Sequence, residues 1–209
     1  MPHRITPLLV APWLGAGLLA AGSAQAAPLT VTVTDAAGVP QADAVVSVEV
    51  KGTKATAAPG TQAELGQRGR NFTPRVLAIQ SGTAVNFPNF DTVRHHVYSF
   101  SQAKPFEIKL YSGTPAAPVV FDKAGTAVLG CNIHDRMTAF VHVVNTPHFA
   151  RTQVDGIAML DVPAGEHTLQ VWHPMHGDTS LPHRQPLKVG GSGATVNVKV
   201  TPSRGGSTP

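Results

Sequence analysis

Cys131, His134 and Met137 stand three residues apart in Cys131-Asn-Ile-His-Asp-Arg-Met137, so a thiolate, an imidazole and a thioether share one short loop. Upstream, Asn89-Phe-Asp-Thr-Val-Arg-His95-His96-Val97 brings further imidazole to the start of an apolar run. Two imidazoles, one thiolate and a weak axial thioether form a donor set that suits a copper ion exchanging one electron. A zinc site of one Cys and two His is the alternative, and Met137 favours copper over it. Cys131 is the only cysteine, so it has no partner within the chain. In an exported protein cysteines normally pair, and an unpaired one beside two other donors reads as a ligand.

These residues need a frame. Thr126 to Leu129 reads as a strand that delivers Cys131 to its end, from which the loop turns His134 and Met137 back. His95 opens a different strand. Strand alternation sends His95 and His96 to opposite faces, so one of them, taken as His95, meets the common ion. Asp91 reads as a turn residue. No paired carboxylates or Ser-His-Asp order is evident, and Met137 in the axial position leaves no clear open coordination site for a substrate, so the chain is not expected to be an enzyme.

The first 26 residues read as a secretory signal: Arg4, an apolar run from Leu8 to Ala21 broken by Pro12, and the small-x-small end Ala24-Gln-Ala26. The expected location is the periplasm, and no later run reaches the roughly 20 apolar residues of a membrane span. Losing Arg4 takes the net charge from +4 to +3. Lys54, Arg68, Arg70 and Arg75 are scattered through a loop region and read as solvated surface. No basic cluster interleaves with aromatics, so nucleic acid is not an expected partner.

Frequent Gly and Pro, few charges and alternating Val and Thr favour an all-β fold. Leu29 to Thr34 alternates strictly, and Val46 to Val50 follows after a Gly-Pro turn. Lys51 to Arg70 reads as a loop or linker. Strands are expected at Arg75–Gln80, Thr83–Phe87, Val97–Phe100, Phe106–Tyr111, Val119–Phe121, Thr126–Leu129 and Ala139–Val144. After Thr146-Pro147 come Ile157–Val162, His167–Trp172 and, beyond a loop from His173 to Pro186, Val196–Val200. Residues from Pro202 onward read as a disordered tail.

Gly82-Thr83, Val85-Asn-Phe-Pro-Asn-Phe-Asp91, His95-His96-Val97 and Cys131-x-x-His134-x-x-Met137 leading into Val141 resemble the cupredoxin family of plastocyanin, amicyanin and pseudoazurin. The resemblance spans Phe72 to Val144, and the spacing of His134 and Met137 is similar to that of amicyanin. His-His-Val-Tyr-Ser-Phe also resembles exported plastocyanin-like proteins often labelled methylamine utilization proteins. The resemblance implies a Greek-key β-sandwich and a single copper held by His95, Cys131, His134 and Met137. It further implies electron transfer with redox protein partners, His134 being the electron port. The chain departs from the family pattern at His96, where Asn is common, at Leu129, where an aromatic is common, and at Asp135, where Pro is common.

Leu29-Thr-Val-Thr-Val-Thr-Asp-Ala-Ala-Gly-Val-Pro40 and Asp161-Val-Pro-Ala-Gly165 resemble the beginning and end of a carboxypeptidase-regulatory-like, transthyretin-like module. The expected organisation is therefore one Ig-like sandwich split into 27–57 and 146–201, with a cupredoxin domain inserted at 66–145. Trp172-His173-Pro-Met175-His176 with His183 is a second His/Met cluster. It reads either as exposed loop residues or as an auxiliary copper site of a chaperone or storage protein. A structural envelope module is the remaining reading. His142 and His148 are expected at strand ends, without a role.

Overall fold

The structure is a computed structural model that describes residues 26–179 and 181–201. The expected export signal, up to Gln25, and the tail 202–209 lie outside the described residues. In chain order the strands are β1 (Ala26–Thr34), β2 (Val45–Val50), β3 (Gln62–Glu64), β4 (Gly66–Arg68), β5 (Asn71–Thr73), β6 (Val76–Gln80), β7 (Thr83–Asn86), β8 (His95–Ser99) and β9 (Phe106–Tyr111). They continue as β10 (Val119–Phe121), β11 (Gly125–Gly130), β12 (Thr138–Val144), β13 (Phe149–Arg151), β14 (Ile157–Pro163), β15 (Gly165–Trp172), β16 (His183–Val189) and β17 (Ala194–Lys199). Among the described residues the single helical element is a 3-10 turn at Pro174–His176. No helix there is long and apolar enough to cross a membrane.

The central strands form a five-stranded sheet ordered β6-β12-β11-β8-β9, a three-stranded sheet ordered β10-β7-β3 and a small β4-β5 ribbon. Their side chains alternate as a pleated strand requires. Ala139, Val141 and Val143 of β12 point into one buried cluster with Leu65, Val85, Phe87, Val97, Phe121 and Leu129. Cys131 and Met137 belong to the same cluster. The site loop is thus anchored at both ends in close-packed apolar side chains, which limits how far its donors can move.

The flanking segments pair with each other. β1 lies antiparallel to β14 and parallel to β17. β2 lies antiparallel to β13 and β15, and β16 completes that sheet as an edge. Leu29, Val31 and Val33 from β1 share a buried cluster with Val46, Val48, Leu169, Val171, Leu187 and Val198. This second body has its own core, made from residues on either side of the central segment. A smaller cluster of Val45, Val76, Phe140 and Trp172 joins the two bodies.

Several sequence expectations need correction. Lys51 to Arg70 is not wholly loop: it holds β3 and β4, with Leu65 fully buried between them. Three-residue strands carry too few positions to show a period. The loop after His173 ends at Pro182, because β16 already starts at His183. Pro186 is tolerated there on an edge strand, where a missing N–H costs no ladder bond on the open side. His142 lies inside β12, not at its end, and is buried. Its ring stacks on Trp172 at 4.7 Å and 12°, and its Nδ1 is hydrogen-bonded to Thr126 Oγ1 at 2.9 Å. His148 lies between β12 and β13, hydrogen-bonded to the Asp161 carbonyl.

Candidate metal centre

Cys131 directly follows β11, His95 is the first residue of β8, and β8 and β11 are hydrogen-bonded neighbours. The loop from Cys131 to Met137 closes on itself: the His134 amide donates to the Cys131 carbonyl (3.4 Å) and the Met137 amide to the His134 carbonyl (2.9 Å). These bonds turn the chain back within seven residues, bringing His134 onto Cys131, with Sγ to Nδ1 at 3.7 Å. The His134 and His95 rings lie 4.9 Å apart. One donor atom each from His95, Cys131 and His134 falls within 4.8 Å of the others, a group able to hold a metal ion. His95 and Cys131 are buried and His134 is half-buried. Met137 is 2% exposed in the cluster that contains Cys131.

The hydrogen bonds of His95 reveal which of its nitrogens is free. Nε2 donates to Asp91 Oδ2 at 2.8 Å, and Nδ1 is buried with no partner. A buried nitrogen lone pair without a donor or a cation is costly. A metal ion at Nδ1 would satisfy it, with Asp91 fixing the tautomer through the other nitrogen, as outer carboxylates do for ligand histidines. The donor set and this free nitrogen therefore fit a metal ion.

Asp91 is the functional residue the sequence reading missed. It sits in a turn as expected, its amide donating to Asn89 Oδ1 at 2.9 Å. Its carboxylate also accepts from the Gly69 amide (2.6 Å) and the Arg70 amide (2.8 Å) at the β4-β5 turn. Chiefly the Arg70 amide, then His95 and the Gly69 amide, hold this carboxyl below the ordinary carboxylate range against an opposing desolvation. The available signal was the four-residue spacing from Asp91 to His95. The amide partners come from a hairpin about 20 residues upstream, which no local pattern announces. Replacing Asp91 by Asn sets an amide NH2 against at least one of these donors. The expected result for Asp91→Asn is a 10–100-fold loss of metal affinity, on the scale of lost outer-sphere partners. Competitive metal titration against a chelator measures it, and an unchanged affinity would remove Asp91 from this role.

His96 is not part of the donor group. Its Nε2 is bonded to Glu107 Oε1 at 2.8 Å, on the neighbouring strand, and its ring lies 5.5 Å from that of Tyr98. Among the described residues the His173–His183 segment is not gathered into a donor group either. His173 Nδ1 accepts from the Met175 amide and its Nε2 donates to the Ala42 carbonyl. His176 Nδ1 accepts from the His173 amide and its Nε2 donates to the Thr201 carbonyl. Met175 packs on the core of the flanking body, and His183 is exposed with Nε2 on Gln185. These groups cap the 3-10 turn and tie it to β17's end.

No protein-family model and no curated protein matches the chain. Among solved structures it is similar to the Cu-containing nitrite reductase from Thermus scotoductus SA-01, with 26% identity and a TM-score of 0.39. That match covers 48% of this chain and 25% of the reductase, so the chain spans a quarter of that protein's length. It is similar to amicyanin from Paracoccus versutus, with 16% identity, 47% and 96% of the two chains covered and a TM-score of 0.34. It is also similar to a purple cupredoxin from Nitrosopumilus maritimus, with 22% identity, 40% and 98% covered and a TM-score of 0.34. The central body is a β-sandwich similar in fold to these proteins, with a cysteine directly after β11 and histidines from β8 and from the β11–β12 loop.

Proposed function

We propose that this chain is an exported blue-copper electron carrier of the periplasm, holding one copper ion through His95, Cys131, His134 and Met137. The observation that carries the reading is the bare, buried Nδ1 of His95 beside Cys131 and His134, with Asp91 committed to Nε2. Copper held there would supply a one-electron couple between Cu(II) and Cu(I). The protein's residues contribute rigidity: β8 and β11 are paired neighbours, and the loop from Cys131 to Met137 is closed by its own backbone bonds. Donors that barely move between oxidation states keep reorganisation small. His134, half-buried where the other donors are buried, is the route to the surface. Burial of His95, Cys131 and Met137 suits exchange of an electron better than binding of a substrate.

The flanking segments we read as one Ig-like sandwich interrupted by the cupredoxin body. Support comes from β1 and β2 pairing with strands beyond Arg151 or at β13, and from the separate core they share. Such an insertion needs only that the ends of the inserted segment approach each other. The Ala55 amide, close to the end of the first flanking part, donates to the Asn145 carbonyl at 3.1 Å, next to the start of the second, which supports this reading.

Copper(II) added to the purified full chain tests the function. The expected outcome is one equivalent bound, an intense visible thiolate-to-copper absorption and reversible one-electron voltammetry. A colourless copper complex, or preferential retention of zinc without redox response, overturns the reading.

A further inference from the structure

Three loops separated in sequence meet at the metal-site face. The β4-β5 turn, Gln67 to Asn71, touches Asp91 through the Gly69 and Arg70 amides. The β7–β8 loop, Phe87 to Arg94, leads into His95, whose ring lies beside that of His134 on the third loop, Cys131 to Met137. Each loop brings arginine: Arg68 and Arg70, Arg94, and Arg136, all exposed. These are four of the nine arginines in the chain, and the three loops hold no lysine. None of the four is ion-paired among the described residues. The loops carry two acids, Asp91 and Asp135. Asp91 is spent on His95 and two amides, so four arginines face one uncommitted carboxylate.

The same loops expose apolar side chains. Phe90 is 50%, Ile133 48% and Val93 37% exposed. The Arg68 guanidinium lies 4.7 Å above the Phe90 ring, which holds a flexible cation against an apolar surface. A cleft of about 340 Å³ lined by Gly69, Arg70, Asp91, Thr92 and Val93 opens between the first two loops. Apolar and aromatic groups mixed with arginine, and without lysine, are the composition of a protein-binding surface rather than of ordinary solvated surface. Arginine's planar fork pairs with carboxylates in a fixed geometry that an ammonium lacks.

We propose that this face is the docking surface for a redox protein that presents carboxylates around its own electron-exchanging edge. The sequence scatters these arginines over almost seventy positions; the fold links their loops through the bonds of Asp91 and the His95–His134 ring pair. The unpaired positive field steers an acidic partner and repels a basic one. The apolar residues of these loops then exclude water from the contact. The redox nature of the partner rests on the electron-carrier reading; its acidic surface rests on the charges alone.

Copper-loaded, reduced full-length protein labelled with nitrogen-15 tests this by amide chemical shifts. Acidic cytochrome b5 and basic cytochrome c serve as the two probes. The expected result is docking of the acidic probe at the three loops, with Kd rising at least about tenfold from low to physiological ionic strength. The Arg94→Glu/Arg136→Glu double variant should weaken that probe about tenfold and strengthen binding of cytochrome c. Lys188→Glu, on the flanking body, should alter neither. Shifts scattered over the whole surface, tighter binding of the basic probe by the unaltered protein, or equal loss in Lys188→Glu would overturn the proposal. Charge-dependent docking in a protein without a visible thiolate band would uphold the surface and count against the carrier reading. An intense band with no charge-dependent docking would do the reverse.

Discussion

Cys131→Ser is expected to remove the visible thiolate-to-copper absorption altogether and to weaken copper binding by more than 10–100-fold, the range that loss of an outer hydrogen-bond partner costs a metal site. The hydroxyl is a poor donor to copper compared with a thiolate, and no second thiol exists in the chain to replace it. His95 and His134 remain as imidazole donors, so residual binding should be colourless rather than absent. The substitution is nearly isosteric at a position 4% exposed. The fold should therefore survive, and the metal-free variant should unfold within several degrees of the metal-free parent. Three measurements separate the cases: a visible spectrum, a chelator competition and a melting curve without metal. A variant that keeps the band would show that the copper is held elsewhere. A variant that loses the band only because it has unfolded would be exposed by its melting curve.

The donor residues were legible because their chemistry is local. A thiolate, an imidazole and a thioether within seven residues leave a mark that needs no knowledge of the fold. Long alternating runs such as Leu29–Thr34 and Ala139–Val144 were equally plain, since each fills several turns of a two-residue period. What the sequence concealed depends on tertiary partners. Asp91 looked like a turn residue because its two amide donors lie on another hairpin. Arg68 and Arg70 read as solvated surface and are exposed; what the sequence does not show is that their hairpin is bonded to Asp91. The pair His173 and His176 looked like possible ligands, yet every one of their ring nitrogens is engaged by backbone. Residue type alone does not tell ligand from cap, nor does a free nitrogen, since His96 Nδ1 is also buried without a partner yet lies outside the donor group.

His142 shows the same limit with a larger energetic consequence. It sits inside β12 against Trp172, where the two bodies meet. Trp172 is 1% exposed, its indole N–H donates to the Gly177 carbonyl at 2.9 Å, and its ring lies 5.6 Å from that of Phe140. Truncation to alanine would empty the largest side chain of this small junction cluster, at an expected cost of about 3–5 kcal/mol. Burial by these neighbours pushes the His142 imidazole down to about 3. The unfolded chain takes up that proton near the ordinary value of about 6.5. The contribution of neutral His142 is therefore fully present above about 6.5 and is lost as pH falls from there toward 3. Within that window the slope for one proton is about 1.4 kcal/mol per pH unit. His142→Phe keeps a ring against Trp172 but has nothing to protonate, so the metal-free variant should lose less stability between pH 7 and 5 than the parent. Trp172→Ala should flatten the same slope by admitting water to His142, while lowering stability at pH 7. Chemical denaturation of the three metal-free proteins at both pH values measures each effect. Equal acid sensitivity in parent and His142→Phe would mean that His142 does not set the acid slope. A loss below about 1 kcal/mol in Trp172→Ala would mean that the junction does not rest on the Trp172 ring.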